Sequence, residues 1–346
     1  PHAKRYTGTD LSSAVLESLA GNLSADNCPV DLHHCAADNW SQFAHQQFDT
    51  IILNSVAQYF PSIEYLERWL AEAVAHVDEG EIFLGDIRNF ALAEAFALSI
   101  LDHSARPETS AADLRSQLAR HLSMEPELLV DPNWFFAIAA QNPRITAVRV
   151  LPKKGASINE LTRFRFDVVL SVGKDSPRHP EDWQEFEGLA ALQVALSNGP
   201  ARLALRNIPD SRTRVAQDKA RLLRDLPGQA SLAQLRKHCE TLEPGIDVNV
   251  LYELAAGSGY RVELCLGAGG LNAVFWRTGD APNWSSLFAS APRRAARHAN
   301  VPYQPEQNAA LVANLNQALS ARLPAYMLPW RVIPLSSMPL TVNGKV

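Results

Sequence analysis

Residues 48–53 form a short apolar run rich in β-branched side chains, the pattern of a buried strand, and the polar pair Asn54-Ser55 turns the chain directly after it. Ile63, Leu66, Leu70 and Val74 then recur at helical spacing, and Asp78-Glu79-Gly80 stops that helix. Residues 81–84 read as a second buried strand, ended by Gly85-Asp86. Two more strands precede these: residues 4–9, closed by Asp10, and residues 30–35, closed near Asp38. Strands alternating with helices predict an α/β fold with a doubly wound parallel sheet, whose ligands bind beyond the carboxyl ends of the strands. Asp10, Asp38, Asn54 and Asp86 all fall at such ends. One acid there is an ordinary helix cap. Four polar or acidic residues on one edge point to a nucleotide site.

Farther along, residues 106–120 are charged, with Leu114, Leu118 and Leu122 at helical spacing, and predict a helix. Asp131 caps another helix that has Pro132 at its first position. Residues 144–151 and 165–172 read as two strands of a hairpin joined through 152–160, and a linker follows at 173–180. Residues 183–196 then look helical, 202–207 extended, 213–226 helical and 250–256 helical, before a strand pair about the turn at residues 267–270. Residues 300–305 lead into a last helix at 306–323. The organisation expected is a core over 1–175, an accessory α/β lobe over 176–290, and a small α+β unit over 298–346.

Composition narrows the classes. A chain of 346 residues with 47% hydrophobic content exceeds one typical domain and can bury a substantial core. A formal net charge of −5 makes no electrostatic case for nucleic acid. No apolar run approaches the roughly 20 residues of a membrane span, and no secretory signal pattern heads the chain, so the expected compartment is the cytoplasm. Cys28, Cys35, Cys239 and Cys265 lack metal-ligand spacing and read as reduced, structural thiols.

The end of the chain carries recognisable chemistry. Pro324, Tyr326, Met327 and Pro329, then Pro339-Leu340-Thr341, then Asn343-Gly344-Lys345, resemble the closing motifs of adenylate-forming enzymes, above all nonribosomal peptide synthetase adenylation domains. What precedes is different. YTGTDLS (residues 6–12), LNSVAQYFPS (53–62), IFLGDIR (82–88) and NELTRFRFDVVL (159–170) resemble the S-adenosylmethionine-dependent methyltransferase domain inserted into interrupted adenylation domains of such synthetases. The resemblance implies a Rossmann-like sheet, S-adenosylmethionine as methyl donor, and ATP with magnesium for the adenylation enzyme as a whole. The family's glycine-rich loop, E-x-G-x-G-x-G after the first strand, has no counterpart in these residues, so that strand and loop are expected ahead of residue 1.

Carried over residue by residue, the resemblance gives Asp10 the cofactor's ribose hydroxyls, with Leu11 beside it, and sets Asp38 against the adenine amino group, flanked by Ala37 and Asn39. Asn54, Ser55 and Val56 border the cofactor, and Gln58 and Tyr59 the acceptor. Lys345 takes the place of the lysine that reaches the adenylate phosphate, a role suited to a point charge on a flexible stem. An amine must be neutral to attack a sulfonium methyl, so Asp86, Glu160 and Tyr59 are the candidates for holding or deprotonating it. Arg88, Arg163 and Arg165 order these carboxylates or contact the carrier arm. A surface ion pair is the plain alternative for each charged residue.

The late position of the insert, directly before the closing adenylation motifs, goes in this family with methylation of the backbone α-amine. The expected activity is therefore N-methylation of an aminoacyl thioester on a phosphopantetheinyl carrier protein. Side-chain O-, S- or C-methylation in the same architecture is one alternative; an inactive or epimerase-type insert is another. The partners implied are the carrier, the rest of the adenylation domain and synthetase, and a small MbtH-like activator protein, with no nucleic acid and no membrane.

Overall fold

The computed structural model describes residues 3–23, 29–155, 157–173, 182–267, 270–277, 279, 297–324, 327–329 and 332. Cys28, the linker at 174–180, Tyr326 and the motifs at 339–341 and 343–345, Lys345 included, lie outside them.

The first half alternates as the pattern predicts. The elements in order are β1 (Tyr6–Asp10), α1 (Ser13–Asn22), β2 (Val30–His34), β3 (Thr50–Asn54), α2 (Ile63–Ala75) and β4 (Gly80–Asn89). Then come α3 (Ala93–Ser104), α4 (Ala111–Ser123), β5 (Leu129–Val130), α5 (Pro132–Gln141), β6 (Ile145–Pro152), α6 (Glu160–Phe164) and β7 (Arg165–Val172). β1 pairs with β2 in parallel as one sheet; a second has the order β3-β4-β7-β6, with β3–β4 parallel and the two following pairs antiparallel. α2 shows why these segments fold as they do. The Ser62 hydroxyl accepts the Tyr65 N–H at its start, and Leu66, Trp69, Leu70, Ala73 and Val74 bury one face against Ile82, Leu84 and Leu170 of the sheet. Each such large side chain contributes about 1.5–3 kcal/mol by burial.

The second half builds on this core. β8 (Trp183–Glu185), α7 (Leu189–Ser197), β9 (Arg202–Ile208), α8 (Arg214–Asp225), α9 (Leu232–Cys239), α10 (Val248–Gly257), β10 (Arg261–Leu266), β11 (Leu271–Trp276) and α11 (Pro305–Ser320) follow. The sheet β10-β11-β9-β8 shares an apolar core with α7 and α10 around Leu205, Leu251 and Phe275. α8 and α9 instead pack on α3 and α4, through Leu98, Leu114, Leu223 and Leu235. At the end of the β10–β11 pair the Gly267 N–H bonds the Gly270 carbonyl at 2.7 Å. Residues 298–303 return to the core, where Asn300 accepts the Leu129 N–H and donates to the Glu127 carbonyl, both at 2.8 Å. Among the described residues no helix is long and apolar enough to cross a membrane.

Four local expectations change. β4 does not stop at Leu84 but runs on to Asn89, because a bulge between Leu84 and Ile87 absorbs Asp86 and pairing with β7 resumes. Residues 183–196 are not one helix: Trp183–Glu185 is a strand beside β9, and Gly188, at φ 116°, separates it from α7. The helix expected from residue 106 starts at Ala111, where the Ser110 hydroxyl accepts the Asp113 N–H. α9, with its Ser231/Gln234 capping box, has no counterpart in the expected elements.

Candidate functional site

The bulge in β4 builds the centre of the site. Asp86 sits there at φ 66°, a left-handed conformation uncommon for a residue with a side chain, and Ser55 next to it has φ 56°. The Ser55 N–H bonds the Gly85 carbonyl at 3.1 Å, and its hydroxyl donates to Asp86 Oδ2 at 3.2 Å, so the two strained residues brace one another. Asn54 Nδ2 donates to Ser55 Oγ at 3.1 Å. A Cβ on Gly85 would run into Asn54 Oδ1 and the Phe83 ring, which is why a glycine stands there.

Two cations hold the Asp86 carboxylate. Arg165 Nη1 lies 2.9 Å from Oδ2 and Lys153 Nζ 3.6 Å from Oδ1, all three side chains being largely buried. Lys153 also pairs with Asp167 at 2.8 Å, and Asp167 accepts the Asp86 backbone N–H at 2.8 Å. Arg165 turns its other nitrogens to Glu160, at 2.9 and 3.2 Å. Burial works against the charge of Arg165, but its hydrogen bond to Glu160 and the carboxylates of Asp86, Glu160 and Glu127 outweigh it and hold the guanidinium pKa above its ordinary value. Asp86 is thus an acceptor fixed in place by opposite charges, beside a loop that opens outward at Tyr59, 72% exposed.

The residues expected at the cofactor lie at and beyond the ends of β1, β2 and β3. Asp10 ends β1, its Oδ1 accepting the Ser12 N–H at 2.7 Å, while Oδ2 has no partner among the described residues. The Leu11 carbonyl bonds His34 Nε2 at 2.8 Å, and the Cys35 N–H bonds the Asp10 carbonyl, so the ends of β1 and β2 are stapled together. Beyond β2, Ala37 packs on the core, Asn39 accepts from Ser41, and exposed Asp38 meets Tyr65 of α2. Burial and the Asp38 carboxylate push the Tyr65 phenol up to about 12. Tyr65 in turn packs at a tilt on Phe60, 4.6 Å between ring centroids, which ties the β2 end to the loop at 54–60 containing half-exposed Val56. Gln58 is buried, with Nε2 on the Ser55 carbonyl at 2.9 Å.

Asp86, Glu160, Asn54 and Ser55 therefore form one network, and Arg165 orders its carboxylates. Arg88 and Arg163 bond elsewhere. Arg88 stands opposite Arg165 in the β4–β7 register and pairs with Glu125 and Glu127 at 2.7 and 3.0 Å, over the Phe96 ring. Arg163 donates to the Arg212 carbonyl at 2.8 Å and lies over Phe164, and burial lowers its pKa. Lys153 and Asp167 are absent from the residues singled out in the sequence. Asp167 had a signal, a lone acid inside the apolar run of residues 166–170; Lys153 had none.

Residues 1–84 match the family described as "Methyltransferase domain". The whole chain is 34% identical, over 369 aligned residues, to chondramide synthase of Chondromyces crocatus, of which it covers 9%. It is 30% identical to the beauvericin nonribosomal cyclodepsipeptide synthetase of Beauveria bassiana, with 96% of this chain and 11% of that protein aligned. The chain thus spans about a tenth of the length of these relatives. Among solved structures, the plantazolicin methyltransferase, crystallised with a substrate analogue and S-adenosylhomocysteine, aligns with 49% of this chain and 77% of its own at 8% identity and a TM-score of 0.29.

Proposed function

We propose, for a chain that carries a methyltransferase domain and is homologous throughout to a segment of nonribosomal peptide synthetases, that it methylates the backbone α-amine of a carrier-bound aminoacyl thioester with S-adenosylmethionine. The donor supplies an electrophilic sulfonium methyl; as the N–C bond forms, the C–S electron pair returns to sulfur. Asp10 suits this donor, because a carboxylate with an open oxygen at a strand end accepts from ribose hydroxyls. Asn54, Ser55 and Val56 follow the end of β3, beside Asp86, and are assigned to the same donor.

The observation that carries the reading is Asp86. A carboxylate fixed at a left-handed bulge by Arg165, Lys153 and Ser55 is an acceptor that cannot turn away from an incoming N–H. It orients the amine lone pair toward the methyl and stabilises the positive charge that grows on nitrogen, with Glu160 and exposed Tyr59 nearer the mouth as relays for the departing proton. Arg88 and Arg163, through Glu125, Glu127 and Arg212, support the walls around it.

The test is transfer of a labelled methyl group in the full-length polypeptide. A carrier-loaded aminoacyl thioester should accept the label while the free amino acid stays a poor substrate. The pantetheine arm raises the effective concentration to roughly millimolar. Equal transfer to the free amino acid would refute the carrier requirement, and no transfer to either would refute the function.

A further inference from the structure

Arg212, in the turn between β9 and α8, is 5% exposed. Among the described residues its guanidinium forms no ion pair; Nη1 donates to two backbone carbonyls, Lys153 at 2.6 Å and Thr162 at 3.3 Å. Its own carbonyl accepts Arg163 Nε at 2.8 Å, and its N–H bonds Asp210 Oδ1 at 3.0 Å. Burying a guanidinium costs free energy that an apolar side chain would not, even with the buried Asp210 carboxylate near enough to attract it. Such an arrangement therefore has its use in what it holds.

What it holds is the loop between β6 and β7, gripped at both feet. Lys153 leaves the first foot and reaches Asp86 and Asp167. Arg165, near the second, meets both Glu160 and Asp86. On the methyltransferase reading above, we propose that Arg212 is a positioning residue for methyl transfer: from the β8–β11 side of the molecule it sets the loop feet that aim Lys153 and Arg165 at the Asp86 carboxylate. Arginine suits this place because its long stem carries a single guanidinium nitrogen to both carbonyls, a reach that a lysine ammonium on a shorter stem does not reproduce.

The experiment uses the full-length polypeptide with Arg212→Lys, Arg212→Met, Lys153→Met and the Arg212→Lys/Lys153→Met double variant. Hydrogen exchange should quicken at the Asp86 amide and through residues 153–167 in both Arg212 variants, more in Met than in Lys, with α10 unchanged. The kcat for methyl transfer should fall about 10- to 100-fold, the scale expected of a slightly misplaced group, with S-adenosylmethionine affinity retained. The double variant should lose little more than the worse single one, since both act through the same carboxylate. Unchanged exchange at Asp86, equal loosening of α10, or multiplicative losses in the double variant would overturn the proposal. Should the wild type transfer no methyl, the function falls, and the exchange measurement alone still decides whether Arg212 positions Asp86.

Discussion

Asp86 gathers a serine hydroxyl, an arginine and a lysine around one carboxylate while its own backbone stays in a conformation that favours glycine. Asp86→Asn keeps the shape and removes the charge, leaving Arg165 and Lys153 facing each other without their shared anion. We expect kcat to fall about 10²- to 10⁴-fold, the range for loss of a positioned acid–base group, with S-adenosylmethionine affinity within a few-fold; steady-state kinetics and calorimetry separate the two. Unaltered kcat would remove Asp86 from the chemistry. Asp10 lies on the cofactor side, so Asp10→Ala should weaken S-adenosylmethionine binding by about 1–3 kcal/mol, the cost of stranding hydrogen-bonding partners. Calorimetry showing unchanged affinity would take Asp10 out of the site.

At the scale of elements, α3 is tied to α8 and α9 by Asp102, which pairs with Lys219 at 2.6 Å and Arg236 at 3.0 Å. Burial raises the Asp102 pKa, but the hydrogen bonds and charges of Lys219 and Arg236 outweigh it, so the group titrates below its ordinary 3.8. A carboxyl with a depressed folded-state pKa stabilises the fold above its unfolded pKa, and that contribution is lost as pH falls through the lower folded value. Thermal melts below about pH 4 should thus show the helical cluster weakening in the wild type, with a flatter acid limb in Asp102→Asn. An identical acid limb in both proteins would contradict the pairing. The same scale shows what the sequence could reveal. β3 was legible as a short β-branched apolar run, and α2 because one helical period runs unbroken through Ile63, Leu66, Leu70 and Val74. The continuation of β4 was hidden by Gly85-Asp86, which reads as a stop yet folds as a bulge. The candidate acids were legible at strand ends, whereas Lys153 acts across a sheet from a loop, a contact made only by tertiary folding.

At the scale of the whole molecule, residues 298–303 bind back along 125–131, with Asn300 bridging Glu127 and Leu129 and the Tyr303 N–H bonding the Glu125 carbonyl at 2.7 Å. The return path to the C-terminal motifs is thus fastened to the loop whose glutamates hold Arg88. In the full-length polypeptide, Lys345→Ala should severely reduce amino-acid adenylation, measured by pyrophosphate exchange, and spare methylation of a preloaded carrier; loss of both with the fold intact would contradict two separate sites. The central claim is the acceptor atom. Given S-adenosylmethionine and a carrier-bound aminoacyl thioester, fragmentation mass spectrometry of the released amino acid should find one added methyl on the α-nitrogen. A methyl on the side chain would contradict the account.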